Sequence, residues 1–132
     1  MDIPKQAQLL RIFVGEADRH DGQPLYEAIV LKAREMQLAG ATVLRGGLGY
    51  GHSSHLHSAK ILRLSDDLPL VVEIVDSEEK IDAFLPVLDG MMESGLVTLE
   101  KAKVLQYGRQ RSGLLQRLKD QLAGHPSAPD PA

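Results

Sequence analysis

The order of strand-like and helical segments constrains the fold of this chain more than any single motif does. Alternating apolar residues indicate strands, and apolar residues three and four positions apart indicate helices. In chain order the predicted elements are strand 9–15, helix 24–40, strand 41–45, strand 70–76, helix 77–95, strand 97–107 and helix 114–122. The first six follow the βαββαβ order of the split βαβ, or ferredoxin-like, arrangement.

This order predicts an α+β sandwich with an extra C-terminal helix. Right-handed crossovers place both main helices on one face of a four-stranded antiparallel sheet. The opposite face then presents Phe13, Val71 and Val75 beside Arg11 and Glu73. A face that mixes aliphatic and charged side chains is costly to leave in water, so we expect copies of the chain to pack together there.

The length and composition of the chain fit one domain. The 132 residues are 43% hydrophobic and 25% charged, as is usual for a soluble globular protein. We expect a single domain over residues 1–123 and a disordered, proline-containing tail over residues 124–132.

Several function classes are excluded by composition. The chain has no cysteine, which rules out disulfides, thiolate catalysis and zinc–thiolate sites. The net charge of −3 argues against nucleic acid as a partner. The chain has no apolar run near the roughly 20 residues of a membrane span, and its start does not resemble a signal peptide. We therefore expect a cytoplasmic protein without direct membrane insertion.

A run of glycines and histidines over residues 45–57 is the strongest candidate for a binding site. It lies in an excursion from about residue 46 to residue 68, which is longer than compact domains usually leave without function. Glycine backbone N–H groups can face an anion, so we expect the loop to become ordered on a ligand. The predicted ligand contacts are Arg45, Gly46, Gly47, Gly49, Gly51, His52 and Lys60. Within the excursion, residues 59–64 fit either a short strand or a helical turn.

The same loop contains residues that suit a metal site, a catalytic triad or a P-loop. His52, His55 and His57 form an alternative site for a divalent metal, since zinc and copper both accept imidazole ligands. Ser53 and His55 with Asp66 or Asp67 have no frame that would orient them as a triad, so we do not expect an enzyme. The glycine spacing is similar to that of a P-loop, but His52 stands where that motif requires lysine and the predicted sheet is antiparallel.

Segments 10–16, 25–30, 40–51 and 69–76 carry a resemblance to known proteins. Over residues 9–107 the chain resembles an uncharacterised bacterial PII-like family, a domain of unknown function within the superfamily of PII signalling proteins. The resemblance implies a homotrimer that binds a small-molecule effector, an adenine nucleotide by analogy, in clefts between subunits. It also implies signalling through the loop to a partner protein such as a membrane transporter.

The resemblance to PII proteins themselves is one of architecture. Residues 46–58 correspond by position to their long loop, and Arg109 and Arg111 correspond to basic residues of their cleft. The turn at residues 92–95 lacks their glycine-rich pattern. A metal-binding protein similar to the trimeric divalent-cation tolerance proteins is the alternative, and an interaction module without a ligand is a third.

Overall fold

The structure is a computed structural model that describes residues 3–51, 56–58, 67–108 and 114–123. Its elements in chain order are β1 (Gln6–Gly15), β2 (Arg19–His20), β3 (Gln23–Pro24), α1 (Leu25–Glu35), β4 (Thr42–Arg45), β5 (Leu48–Gly49), β6 (His57–Ser58), β7 (Pro69–Asp76), α2 (Glu78–Met91), β8 (Leu96–Lys103) and α3 (Leu114–Leu122). The predicted βαββαβ order is confirmed by β1, α1, β4, β7, α2 and β8, and α3 is the extra C-terminal helix.

Four of the strands form one antiparallel sheet in the order β4-β7-β1-β8. At its centre Ile12 pairs with Val72 on one side and with Val97 on the other. This order is that of the predicted ferredoxin-like sandwich, so the α+β fold class is confirmed.

The core lies between the sheet and the two main helices. Alternate residues of the central strands β1 and β7 point into it because successive side chains of a strand face opposite ways. The helices contribute a stripe of apolar residues each, which the helical spacing had indicated. Among the described residues, the large apolar side chains that are fully buried are Leu10, Ile12, Leu70, Val72 and Ile74 from the sheet, Ile29 from α1, and Ile81 and Phe84 from α2.

Several local features were not given by the sequence or differ from the expected bounds. After β1 the strands β2 and β3 form a small hairpin in which Asp21 and Gly22 both take positive φ, at 49° and 80°. Helix α1 ends before Gly40, because Gln37 turns into the left-handed region at φ 62°. Strand β8 ends at Lys103 instead of residue 107. Helix α2 ends at Met91 instead of residue 95 and continues through Pro86, although proline within a helix can kink or break it.

Some expectations fall on parts of the chain that the structure does not describe. The alternatives for residues 59–64 and the tail at 124–132 lie outside the described residues. None of the helices in the described part of the chain has the length and apolar character that crossing a membrane requires.

Candidate functional site

Three chain segments meet at one end of the sheet, where β1 and β4 end and β7 begins. The backbone N–H of Gly46 donates a hydrogen bond of 2.7 Å to the Pro69 carbonyl. The N–H of Glu16 donates one of 2.9 Å to the Leu68 carbonyl. These bonds continue the sheet pairing past its regular end, so the glycine-rich loop starts from a fixed base.

The four glycines of the loop fall into two kinds. A Cβ on Gly46 would lie 2.9 Å from Cγ of Pro69, and one on Gly49 would lie 3.1 Å from the same atom. A Cβ on Gly47 or Gly51 would meet no atom within 4 Å. Gly46 and Gly49 therefore permit the close approach of the loop to Pro69, whereas Gly47 and Gly51 leave their backbone open to a ligand.

A short hairpin extends from this base. Leu48 of β5 pairs with Ser58 of β6, and Gly49 pairs with His57. The sequence predicts a loop over residues 46–58 and gives no sign of this pairing, because strands of two residues are too short to show an alternating pattern.

Arg45, the last residue of β4, is the charged side chain at the base of the hairpin. Its guanidinium makes an ion pair with the carboxylate of Glu16, which follows the last residue of β1. The Arg45 side chain is nevertheless 57% exposed. An anion can therefore reach it, but that anion must share Arg45 with the carboxylate or displace it.

The remaining predicted contacts are only partly covered by the structure. His52, His55 and Lys60 lie outside the described residues, and of His57 only the backbone is described. In the part of the chain that the structure does describe, no three histidine, aspartate or glutamate side chains are grouped to hold a metal ion. The proposed three-histidine site thus stays a prediction.

Asp67 has a structural role at this end of the sheet, where it binds the backbone after β1. Its Oδ1 accepts a hydrogen bond of 2.8 Å from the backbone N–H of Ala17. The other residues considered for a triad, Ser53, His55 and Asp66, lie outside the described residues.

Four large apolar side chains in the hairpin and next to it are exposed to solvent. Tyr50 is 72% exposed, and the other three are 49% to 65% exposed. We call these four residues, Leu44, Leu48, Tyr50 and Leu56, the apolar patch. This patch was not among the expected site residues; the signal for it in the sequence is the placement of apolar residues within a polar, glycine-rich run.

The open face of the sheet, which we define as the face turned away from α1 and α2, carries the expected mixture of side chains. Arg11 donates to Glu73 at 2.8 Å and to Glu100 at 2.6 Å, which links three neighbouring strands. The hydrogen bond to Glu73 is the main cause that raises the pKa of Arg11, so the guanidinium remains charged throughout the neutral range. Phe13, paired with Val71, adds apolar surface beside this network.

Comparison with known proteins adds a family. Residues 7–104 match the DUF190 family, described as "Uncharacterized ACR, COG1993". The chain belongs to this family. A UPF0166 protein of Aquifex aeolicus is 43% identical over 98 residues, which are 74% of this chain and 92% of the relative. A UPF0166 protein of Methanocaldococcus jannaschii is 34% identical over 100 residues, covering 75% of this chain and 92% of the relative.

A solved structure shares the fold. It is that of CPII, a nitrogen regulatory PII-like protein from Thiomonas intermedia K12, bound to ADP, AMP and bicarbonate. The TM-score is 0.52 at 17% identity, and the match covers 75% of this chain and 88% of CPII. At this identity the likeness concerns the fold alone, and the DUF190 chain described here has a PII-like fold. The resemblance to an uncharacterised PII-like family is thus confirmed.

Proposed function

We propose that this protein is a cytoplasmic PII-like regulator that binds an adenine nucleotide beside residues 45–51. The observation that carries the proposal is that two kinds of anion-binding group lie together at the base of the hairpin. They are an accessible guanidinium and the backbone of glycines that have no neighbouring side chain over them. Arg45 is reachable by an anion, and Gly47 and Gly51 have no side chain or neighbour that would keep a phosphate from their backbone.

The chemistry of these groups suits a phosphate. A guanidinium forms charge-assisted hydrogen bonds with phosphate oxygens, and successive backbone N–H groups can form an anion-binding concavity. His52 and Lys60 follow in the sequence and are proposed to complete the contacts. The nucleotide as the specific ligand rests on analogy with PII-like proteins, of which CPII is described as bound to ADP and AMP.

The proposed assembly is a homotrimer with the ligand in clefts between subunits. Support comes from the open face of the sheet, where Phe13 and Val71 lie next to the ion network of Arg11. Packing these faces together removes apolar surface from water and keeps each charge beside an opposite charge.

The proposed output is a change in the hairpin that a partner protein recognises. A ligand that binds one loop arrangement better than another shifts the population toward it. The exposed patch around Tyr50 then offers surface for a partner, such as a membrane transporter. The proposed role is regulatory binding and not catalysis, in keeping with the PII-like fold.

A thermal-shift series tests the ligand. A nucleotide that binds only the folded protein at a hundred times its Kd stabilises it by about 2.7 kcal/mol, which raises Tm by several degrees. We expect ATP or ADP to produce this shift with a chelator present, and Arg45→Ala to reduce it. Arg34→Ala, an exposed arginine of α1, is the matched control. A shift by zinc or copper alone would favour the metal alternative, and no shift by either would contradict both.

A further inference from the structure

A groove lies between α2 and the edge strand β8, on the helix-bearing face and far from Arg45 in the strand order. It has a volume of about 410 Å³. Its floor is apolar, with Leu85, Leu88 and Met92 from α2 and its end, and Val97 from β8. Val97 of the edge strand β8 pairs with Ile12, so both side chains point to the helix-bearing face of the sheet. Ile12 is buried there, whereas Val97 is exposed because β8 is at the edge of the sheet.

The rim of the groove is negatively charged. Asp89 in the last turn of α2 and Glu93 just after the C-cap of this helix line it. The last turn of this helix contains no basic residue to compensate the negative end of the helix dipole. A fitting occupant therefore has an apolar stripe flanked by positive charge.

Helix α3 has these properties. Leucines at 114, 115, 118 and 122 recur at helical spacing, so they share one side of the helix. Residues 109–122 contain the basic residues Arg109, Arg111, Arg117 and Lys119 and a single acidic residue, Asp120. Leu122 is 74% exposed and Leu118 is 36% exposed, so the described end of the stripe is not buried within its own chain.

We propose that α3 of one copy docks its leucine stripe into the α2–β8 groove of a second copy. The position of the connection to α3 favours a second copy as the occupant. This connection is held at the opposite end of the sheet, where the Tyr107 hydroxyl donates a hydrogen bond of 2.6 Å to the Ala39 carbonyl.

This contact differs from the proposed trimer packing through the open face, and it adjoins the turn at residues 92–95 that the sequence analysis compared with the cleft of PII proteins. It uses the helix-bearing face of the sheet and does not require the loop or a nucleotide. It would fasten one subunit to the next through the C-terminal helix, with the basic residues of α3 set against Asp89 and Glu93.

The cysteine-free chain permits a direct test by disulfide cross-linking. A full-length chain with Leu122→Cys and a differently tagged full-length chain with Glu93→Cys are co-expressed and oxidised. We expect a covalent product that contains both tags. Glu79→Cys is the matched control, because Glu79 is an exposed acidic residue in the first turn of α2, about 18 Å along the helix from its C-terminal residue Met91. The yield of cross-linked product between the Leu122→Cys and Glu79→Cys chains should be at least fivefold lower than that between the Leu122→Cys and Glu93→Cys chains.

A second variant tests the apolar contact. Leu118→Asp in the Leu122→Cys chain should lower the yield with Glu93→Cys at least fivefold, while Tm of the domain is unchanged. Equal yields at positions 79 and 93, or no effect of Leu118→Asp, would overturn the proposal. So would a chain carrying both cysteines that cross-links only internally, since that result assigns the groove to α3 of the same copy.

Discussion

The buried carboxylate of Asp76 accepts a hydrogen bond of 2.8 Å from the backbone N–H of Ala39. Its other oxygen accepts one of 2.7 Å from the N–H of Ser77. Asp76 ends β7 and is 1% exposed, whereas Ala39 lies in the connection from α1 to β4. The side chain of Asp76 thus links the end of β7 to the connection between α1 and β4, and it accepts hydrogen bonds from two backbone N–H groups.

Replacing this carboxylate should weaken the fold. Asp76→Ala leaves two backbone N–H groups without an acceptor, and we expect it to lower the free energy of unfolding by about 1–3 kcal/mol. Denaturant unfolding measures the change. Asp82→Ala, at an exposed position of α2, should stay within about 0.5 kcal/mol of the parent. Equal effects of the two substitutions would show that the Asp76 hydrogen bonds contribute nothing specific.

Two glycines five residues apart should respond to alanine with opposite signs. Gly95 has φ 127°, and a Cβ there would lie 2.7 Å from the Phe13 carbonyl oxygen. Gly95→Ala is therefore expected to destabilise the protein by about 1–3 kcal/mol. Gly90 lies within α2 with no atom within 4 Å of a Cβ, so Gly90→Ala should stabilise it by about 0.5–1 kcal/mol. Thermal unfolding of the two variants checks both signs, and a stabilised Gly95→Ala variant would contradict the geometry of this turn.

The sequence indicated those parts of the fold that depend on local patterns. Serine is a typical N-cap residue, and the Oγ of Ser77, just before the second main helix, accepts a hydrogen bond of 3.2 Å from the Lys80 N–H. Contacts between distant residues left no such pattern. The ion pair of Glu16 with Arg45 joins residues 29 positions apart, and the two kinds of loop glycine are distinguished only by the position of Pro69. Local composition indicated residues 45–57 as a candidate site, but it could not indicate the structural or binding role of each residue there.

The two kinds of glycine lead to separate effects on stability and binding. Gly46→Ala forces a Cβ against Pro69 and is expected to lower Tm by several degrees. Gly47→Ala has open space and should leave Tm within about a degree, while it weakens nucleotide binding if this backbone contacts the phosphate. Calorimetry and thermal unfolding of the same preparations separate the two effects. If both variants lose the same stability, the distinction between framework and ligand-facing glycines is wrong.

The open face of the sheet should control assembly. Each chain has a mass of 14.4 kDa, and light scattering is expected to give three times that value. Phe13→Asp places a charge among apolar residues of the proposed interface and should shift the mass to that of a single chain. Leu31→Asp, at an exposed position of α1, is the matched control and should leave the trimer intact. A monomeric parent protein, or a trimer that survives Phe13→Asp, would contradict packing through this face.

The ion pair between Glu16 and Arg45 should make the affinity of the proposed site for an anion depend on Glu16, which need not touch the anion. In the proposed site the carboxylate of Glu16 would compete with a phosphate for the guanidinium and repel it. Glu16→Gln removes that charge and keeps a side chain of similar size, so we expect nucleotide affinity to rise up to about fivefold, the scale of an exposed ion pair. The increase should shrink as salt is raised, since the charges are solvent-accessible. Glu35→Gln, which removes an exposed carboxylate paired with Lys32, should leave affinity unchanged. A lower affinity for Glu16→Gln would mean that Glu16 positions Arg45 for the ligand, and equal affinities for both variants would remove Arg45 from the site.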